Sequence, residues 1–369
     1  MAHMVRRATA GAVGLLVIGA ATAGAATAGA ATAATAPAAS HPSWQVVKSL
    51  RTGAEGQFTA VAATGKTTGW AFEGSGFTAA PVAYQYSGSS WRKVSFPGSK
   101  DQQVVTAAAT SPSDVWAFEQ GFGAPSRVLK YNGHGWSVVR TFSNEIADAT
   151  VLASNDVWVY GEARAPGIAP LGVWHYNGSS WRQVSTSIQG GSAVSATSAW
   201  GFNGVNVEHW NGAKWIATSV KSLLPAKNPS GLNDPAVAGI LALTNRDVFV
   251  LGSGNAEDEG GPLVVLQFNG SKWNRVATGQ FGNGPQPEFS YDGSGGLWLP
   301  MLGASGGTTY LVHYSNGKLT KAALPVAAAK ITISAISRIP GSADQIAAGF
   351  MHTDGNLGGN VVGVVLKYS

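Results

Sequence analysis

Three glutamates recur behind aromatic runs. Glu73 follows TGWAF, Glu119 follows DVWAF, and Glu162 follows DVWVYG one residue later. Carboxylates brought together by a repeat can do two kinds of work. Two of them can act as acid and base in glycoside cleavage, at a separation of about 5–5.5 Å for retention or roughly 6.5–9.5 Å for inversion. Alternatively, they accept hydrogen bonds from the hydroxyl or amide donors of a ligand that is held and not cleaved. Phe77 and Phe122 follow in Gly-containing stretches where a core does not demand an aromatic ring, and they would supply stacking faces. Arg164, Asn203 and Asn206 add a guanidinium and two amides at comparable places. A sialidase would want an arginine cluster for the substrate carboxylate, and Arg164 stands by itself among these stretches.

Other chemistries are poorly served. The chain has no Cys, which removes thiolate metal sites, disulfides, a lipid attachment site and any Cys–Tyr crosslinked copper centre. No H-E-x-x-H and no His pair at i,i+4 exists, so neither a metal nor a cofactor is expected. His175, His209 and His313 each precede the aromatic of one repeated phrase, in a slot that Gln85, Lys130 and Gln267 fill elsewhere. That alternation places the slot at solvent.

The phrase reads KYNGHGW at 130–136 and HYNGSSW at 175–181. Asn-Gly between apolar runs signals a hairpin, because both residues tolerate positive φ. Tyr131 and Trp136 then face each other across two strands, as do Tyr86 with Trp91, Trp210 with Trp215 and Phe268 with Trp273. Tyr314 with Leu319 is a weaker copy. The Asn177-Gly178-Ser179 and Asn269-Gly270-Ser271 sequons read as turn chemistry.

About 15 residues earlier comes a second phrase: SPSDVWAF at 111–118, ASNDVWVY at 153–160, TNRDVFVL at 244–251. Its Asp114, Asp156 and Asp247 are expected to accept backbone N–H bonds within the first hairpin turn. A small-residue strand such as VVTAAAT at 104–110 precedes it. One unit is therefore four short strands. The Trp slots at 91, 136, 181, 215 and 273, with Leu319, lie 45, 45, 34, 58 and 46 residues apart. A four-strand repeat of this length is a β-propeller blade. Eleven of the 13 Trp fall in the two repeat slots, which reads as packing between blades.

The expected fold is all-β, a seven-bladed propeller of four-stranded blades. LKYS at 366–369 lacks a Trp strand, and SWQVV at 43–47 is one with nothing before it. Joined, they restore the phrase, so the last blade is expected to be closed by the N-terminal strand. The DVWA…YNGxxW pattern resembles secreted actinobacterial propeller repeats, most clearly over 104–185, and is loosely kelch-like. The GH and WD dipeptides of WD40 repeats are missing in register. Blade seven departs most, with ADQI at 343–346 in place of the DVW phrase.

Residues 1–40 read as a signal peptide: a basic start at Arg6-Arg7, an apolar Val13–Ile18, and A-x-A sites such as Ala26-Thr27-Ala28 and Ala36-Pro37-Ala38. A retained membrane anchor would need a longer apolar run. Residues 41–369 are then the mature propeller, secreted and extracellular, with no membrane span after cleavage. Loss of Arg6 and Arg7 leaves 22 basic against 19 acidic residues, a charge of +3. No Lys/Arg cluster tracks a phosphate backbone, which argues against nucleic acid.

Chain direction sorts the loops. Those between strands two and three, and those between blades, emerge on one face, here the top. That face carries Glu73, Phe77, Glu119, Phe122, Glu162, Arg164, Asn203 and Asn206, and the two longest loops, 221–234 and 281–288. Glu73, Phe77, Glu119 and Phe122 are expected to gather on one rim of the channel. The leading expectation is a monomeric, non-catalytic binding protein whose partner is an extracellular glycan or protein. A propeller glycoside hydrolase or lyase, or a self-associating structural protein, are the alternatives.

Overall fold

In blades one to five the repeat folds into an antiparallel sheet whose four strands pair in chain order. Blade one is Gln57–Gly65, Thr68–Gly74, Val82–Ser87 and Ser90–Val94; blade two is Gln102–Ser111, Asp114–Gly121, Ser126–Tyr131 and Trp136–Phe142. Blade three is Glu145–Ala153, Asp156–Glu162, Gly172–Tyr176 and Trp181–Ser185; blade four is Gly190–Ser195, Ser198–Asn203, Asn206–Trp210 and Trp215–Ser219. Blade five is Ala236–Thr244, Asp247–Ser253, Leu263–Phe268 and Trp273–Gly279. Blade six has its first strand in two pieces, Gly284–Pro285 and Ser290–Tyr291, before Leu297–Leu302, Thr309–Ser315 and Lys318–Lys321. The computed structural model describes residues 42–50, 56–74, 79–121, 123–162, 170–226, 234–254, 262–281, 284–285, 288–302, 309–325, 331–352 and 361–369. Residues 1–40, expected to be a signal peptide, lie outside them. No helix among the described residues is long and apolar enough to cross a membrane.

Blade seven is Ile331–Arg338, Gln345–His352, Val361–Tyr368 and, as the fourth strand, Trp44–Leu50. Trp44 stands opposite Tyr368, and Ser43 N–H donates to the Ser369 carbonyl at 3.3 Å. The seven-bladed ring and its closure are therefore as the repeat implies.

The YNG turns are built as their residues dictate. Asn132 Oδ1 accepts from the N–H groups of His134 and Gly135 at 3.0 and 3.1 Å, and Gly133 takes φ 95°. Asn177, Asn211 and Asn269 do the same in their turns. The side chains of both sequons are thus engaged in the turn. The flanking aromatics meet across the strands, with ring centroids 5.6 Å apart for Tyr131–Trp136 and 5.1 Å for Tyr176–Trp181.

Blades pack through the aromatic slots. Trp70 of blade one meets Trp136 of blade two at 5.1 Å, and Trp200 of blade four meets Trp273 of blade five at 5.9 Å. At the axis, hydroxyls join neighbouring inner strands. Thr59 donates to the Val104 carbonyl at 2.7 Å, and Thr150 and Ser192 accept from the Ala193 and Ala242 N–H groups at 3.2 and 3.0 Å. Inner strands converge, so their side chains must be small there, which is why this strand is rich in Ala, Ser and Thr.

Two expectations need correction. The slot before the YNG aromatic does not face open solvent. It lies opposite the Trp of strand two in register, so a flat His ring covers that indole: His175 on Trp158, His209 on Trp200 and His313 on Trp298, each at 4.2 Å. Lys130 sets its ammonium 4.6 Å from the Trp116 ring centre in the same way. The hairpin aspartates bond mainly to this slot and not to turn N–H groups. Asp156 accepts from Trp158 Nε1 at 3.1 Å and pairs with His175 at 2.8 Å; Asp114 pairs with Lys130 at 3.2 Å; Asp247 accepts from Gln267 at 2.8 Å. Asp292 of blade six does both jobs, holding His313 and accepting from the Ser294 and Gly296 N–H groups.

Candidate functional site

Side-chain alternation decides where the glutamates point. Val115 and Ala117 pack toward blade one, so Glu119, two residues on, enters the interface between blades one and two. It is fully buried, and its Oε2 accepts from Arg127 Nε and Nη2 at 2.8 and 2.6 Å. Burial pushes its carboxyl up to about 7, against the opposing pull of Arg127. Ala71 packs toward blade seven, so Glu73 takes the corresponding place one interface earlier, where it accepts from Tyr84 Oη at 2.9 Å. Equivalent slots thus point into successive interfaces and not into one shared space.

Asn203 and Asn206 flank a tight hairpin turn in blade four, with Gly204 at φ 60°. Phe77, Phe122 and Arg164 lie outside the described residues. Of the expected site residues among the described ones, Glu162 lines the channel mouth, where it is exposed. Partial desolvation by the surrounding channel wall, and then the charge of nearby Glu145, raise its carboxyl.

The top of the channel is shaped by β-bulges. In blades one, two, three, five and seven the first strand shifts register near its start, at Phe58/Ala60, Val104/Thr106, Ile146/Asp148, Val237/Gly239 and Ile333/Ala335. A bulge inserts one extra residue and re-aims its side chain. The extra residues Thr59, Val105, Ala147 and Ser334 line a cavity of about 390 Å³ at the top mouth, together with Gln57, Gln103, Gln120, Thr332, Glu162 and Glu288. Amides, hydroxyls and carboxylates dominate this wall. Apart from Glu162, and Glu288 at the end of the 281–288 loop, sequence reasoning missed these side chains, although the residue before each bulge anchor carried a signal. Gln57, Gln103, Glu145 and Thr332 each stand one residue before the fully buried anchors Phe58, Val104, Ile146 and Ile333.

Below the mouth lies a second cavity of about 290 Å³, walled by the small residues of the inner strands. Asp148 and Glu288 both face it, and Glu288 is common to both cavities. Asp148 occupies the place held by Ala60, Thr106 and Ala335 in other blades. It accepts from the Ala149 N–H at 2.7 Å and from the Gly191 N–H of blade four. Burial nevertheless pushes its carboxyl up to about 7. Glu288 precedes Ser290–Tyr291, at the break in blade six's inner strand, and blade six stands across the ring from blades two and three. Glu288 reaches over the axis to accept from the Thr106 hydroxyl of blade two. Burial pushes its carboxyl up to about 8; the Thr106 bond opposes this and the Asp148 charge adds to it. Its Oε1 is buried without a hydrogen-bond partner.

No protein-family model and no curated protein matches the chain. Solved structures do. YCF48 bound to a D1 peptide superposes with a TM-score of 0.54 at 12% identity, covering 90% of this chain and 98% of that one. The WD40 propeller domain of Doa1 gives 0.56 at 12%, covering 87% and 96%. The extracellular domain of the hybrid two component system BT4673 from B. thetaiotaomicron gives 0.55 at 11%, covering 88% and 40%. At such identities the likeness is one of fold.

Proposed function

We propose that the chain is a secreted, non-catalytic binding protein that holds an extracellular glycan or protein surface at the top mouth of its channel. The bulge-built wall carries the reading. Five inner strands distort near the same end, and four of the residues so re-aimed line one polar cavity. Bulges of this kind concentrate at rims and sites, where they direct side chains. The amides of Gln57, Gln103 and Gln120 offer donors and acceptors to hydroxyls or peptide groups. Glu73 and Glu119 are occupied by Tyr84 and Arg127, which leaves them poorly placed as an acid–base pair.

A glycan array and a pull-down from secreted material, run with the parent and with Gln57→Ala/Gln103→Ala, test this. Two lost hydrogen bonds at about 0.5–1.5 kcal/mol each weaken any captured ligand by roughly tenfold. Ligands that bind parent and variant alike overturn the reading.

A further inference from the structure

The channel contains an acid without a counter-charge. The residues lining its two cavities include Asp148, Glu162 and Glu288, and among the described residues in that lining there is no Lys, Arg or His. Glu119, Asp114, Asp156 and Asp292 each have a basic or imidazole partner, and Glu73 a phenolic one. Glu288 spends one oxygen on Thr106 and keeps Oε1 buried and unpartnered between the cavities. An unmade bond at a buried carboxylate is costly, and its natural complement is a cation with a proton to donate.

We propose that Glu288 and Asp148 form a site for a protonated primary amine on an aliphatic chain, which enters by the top mouth. This deepens the mouth reading and rests on it for the route of entry. The amine is favoured over a metal, because among the described residues no cluster of three or more His, Cys, Asp or Glu exists to hold one. It is favoured over a guanidinium, because a planar fork wants both oxygens of a carboxylate and Glu288 offers one. The lower wall of Ala107, Val151, Ile240 and Ala242 suits methylene groups. Lysine side chains and free alkylamines share this chemistry.

Burial raises both carboxyls into the neutral range, to about 7 for Asp148 and about 8 for Glu288, where the Asp148 charge adds to burial, while Glu162 at the mouth and Tyr160 and Asp156 behind Asp148 add no positive charge. An ammonium must therefore displace a proton. Binding weakens about tenfold for each pH unit below the Glu288 value near 8, and strengthens as pH rises toward it.

Isothermal titration of the propeller with n-pentylamine, n-pentanol, KCl, and a lysine peptide beside its acetylated form tests the site. Repeating it in buffers of different ionisation enthalpy counts protons released by the parent protein, without need of a variant. The expected results are amine binding with release of close to one proton, none for the alcohol, and at least tenfold loss in Glu288→Gln and in Asp148→Asn. Binding of the pentylamine and the lysine peptide together identifies a side-chain site, and of the amine alone a small-molecule site. Equal response to amine and alcohol, an equal response to K⁺, no proton release, or a folded Glu288→Gln that binds as the parent does overturns the proposal. The array above can fail while the amine binds, and the amine can fail while the array succeeds, so the two readings fall separately.

Discussion

Trp44 packs edge-on against Trp298, with ring centroids 5.3 Å apart and planes at 88°. One ring belongs to the strand that completes blade seven and the other to strand two of blade six. Trp44 also faces Tyr368 at 5.4 Å across its own sheet. A single buried side chain thus joins the two ends of the domain and two blades at once. Trp44→Ala is expected to cost about 3–5 kcal/mol in urea unfolding. Val139→Ala, on an exposed outer strand, is expected to stay within about 0.5 kcal/mol. Removal of residues through Leu50 bares an inner sheet edge and is expected to lower stability at least as much as Trp44→Ala. A midpoint unchanged by either alteration at Trp44 contradicts the closure.

Stability is expected to fall as pH rises across the neutral range. A carboxyl whose folded value exceeds its unfolded value binds its proton more tightly when folded, so its contribution is complete below the unfolded value of about 4 and lost as pH climbs through the folded one. Asp148 at about 7 and Glu288 at about 8 set that window. Asp292 has the opposite sign. Burial works to raise it, but bonds from Ser294, Gly296 and His313 outweigh burial and hold it below its usual value, so its contribution is lost in acid. Thermal melts from pH 5 to 8 should show a falling midpoint, flattened in Glu288→Gln. A parent midpoint that rises over this range contradicts the assignment.

The repeat was legible because its devices are local. Asn-Gly turns, facing Tyr131 and Trp136, and the DVW strand each leave a mark within a few residues. The ring closure followed from a phrase divided between Tyr368 and Trp44. The site was less legible, because strand direction is cheap to infer and side-chain direction is not. Glu73 and Glu119 were rightly matched to one slot, but alternation turns that slot into the blade interfaces. The His slot misled in a similar way, since Lys, Gln and His all tolerate water and all can cover an indole. A bulge adds one residue with no compositional mark, so Thr59 and Ser334 gave no warning. Glu288 lies in a stretch the sequence marked as a long top loop, whereas it bridges the channel to Thr106.

The stacked His, Trp and Asp clusters are expected to be structural. Asp156→Ala deprives the fully buried Trp158 of its indole acceptor and His175 of its partner. A loss of about 1–3 kcal/mol follows from leaving such a donor unmade. Denaturant midpoints measure it, and ligand capture by the folded variant should match the parent. Loss of capture without loss of stability would assign these histidines to a site.

Arg127→Met strands the buried Glu119 carboxylate and is expected to cost about 3 kcal/mol, near the lower end for a broken buried pair because Arg127 keeps some contact with solvent. Adding Glu119→Leu should restore most of it. A double variant no more stable than Arg127→Met contradicts the pairing.

Hydrogen–deuterium exchange with and without a captured ligand tests the account most directly. Binding at the channel mouth predicts slowed exchange at the top ends of the inner strands, around Gln57–Thr59, Gln103–Val105, Ile146–Asp148 and Thr332–Ser334, with the YNG turns on the blades' other end unchanged. Protection confined to Asn132–Gly135 and its counterparts, or to the outer strands at Val138–Val139 and Ile216, would contradict it.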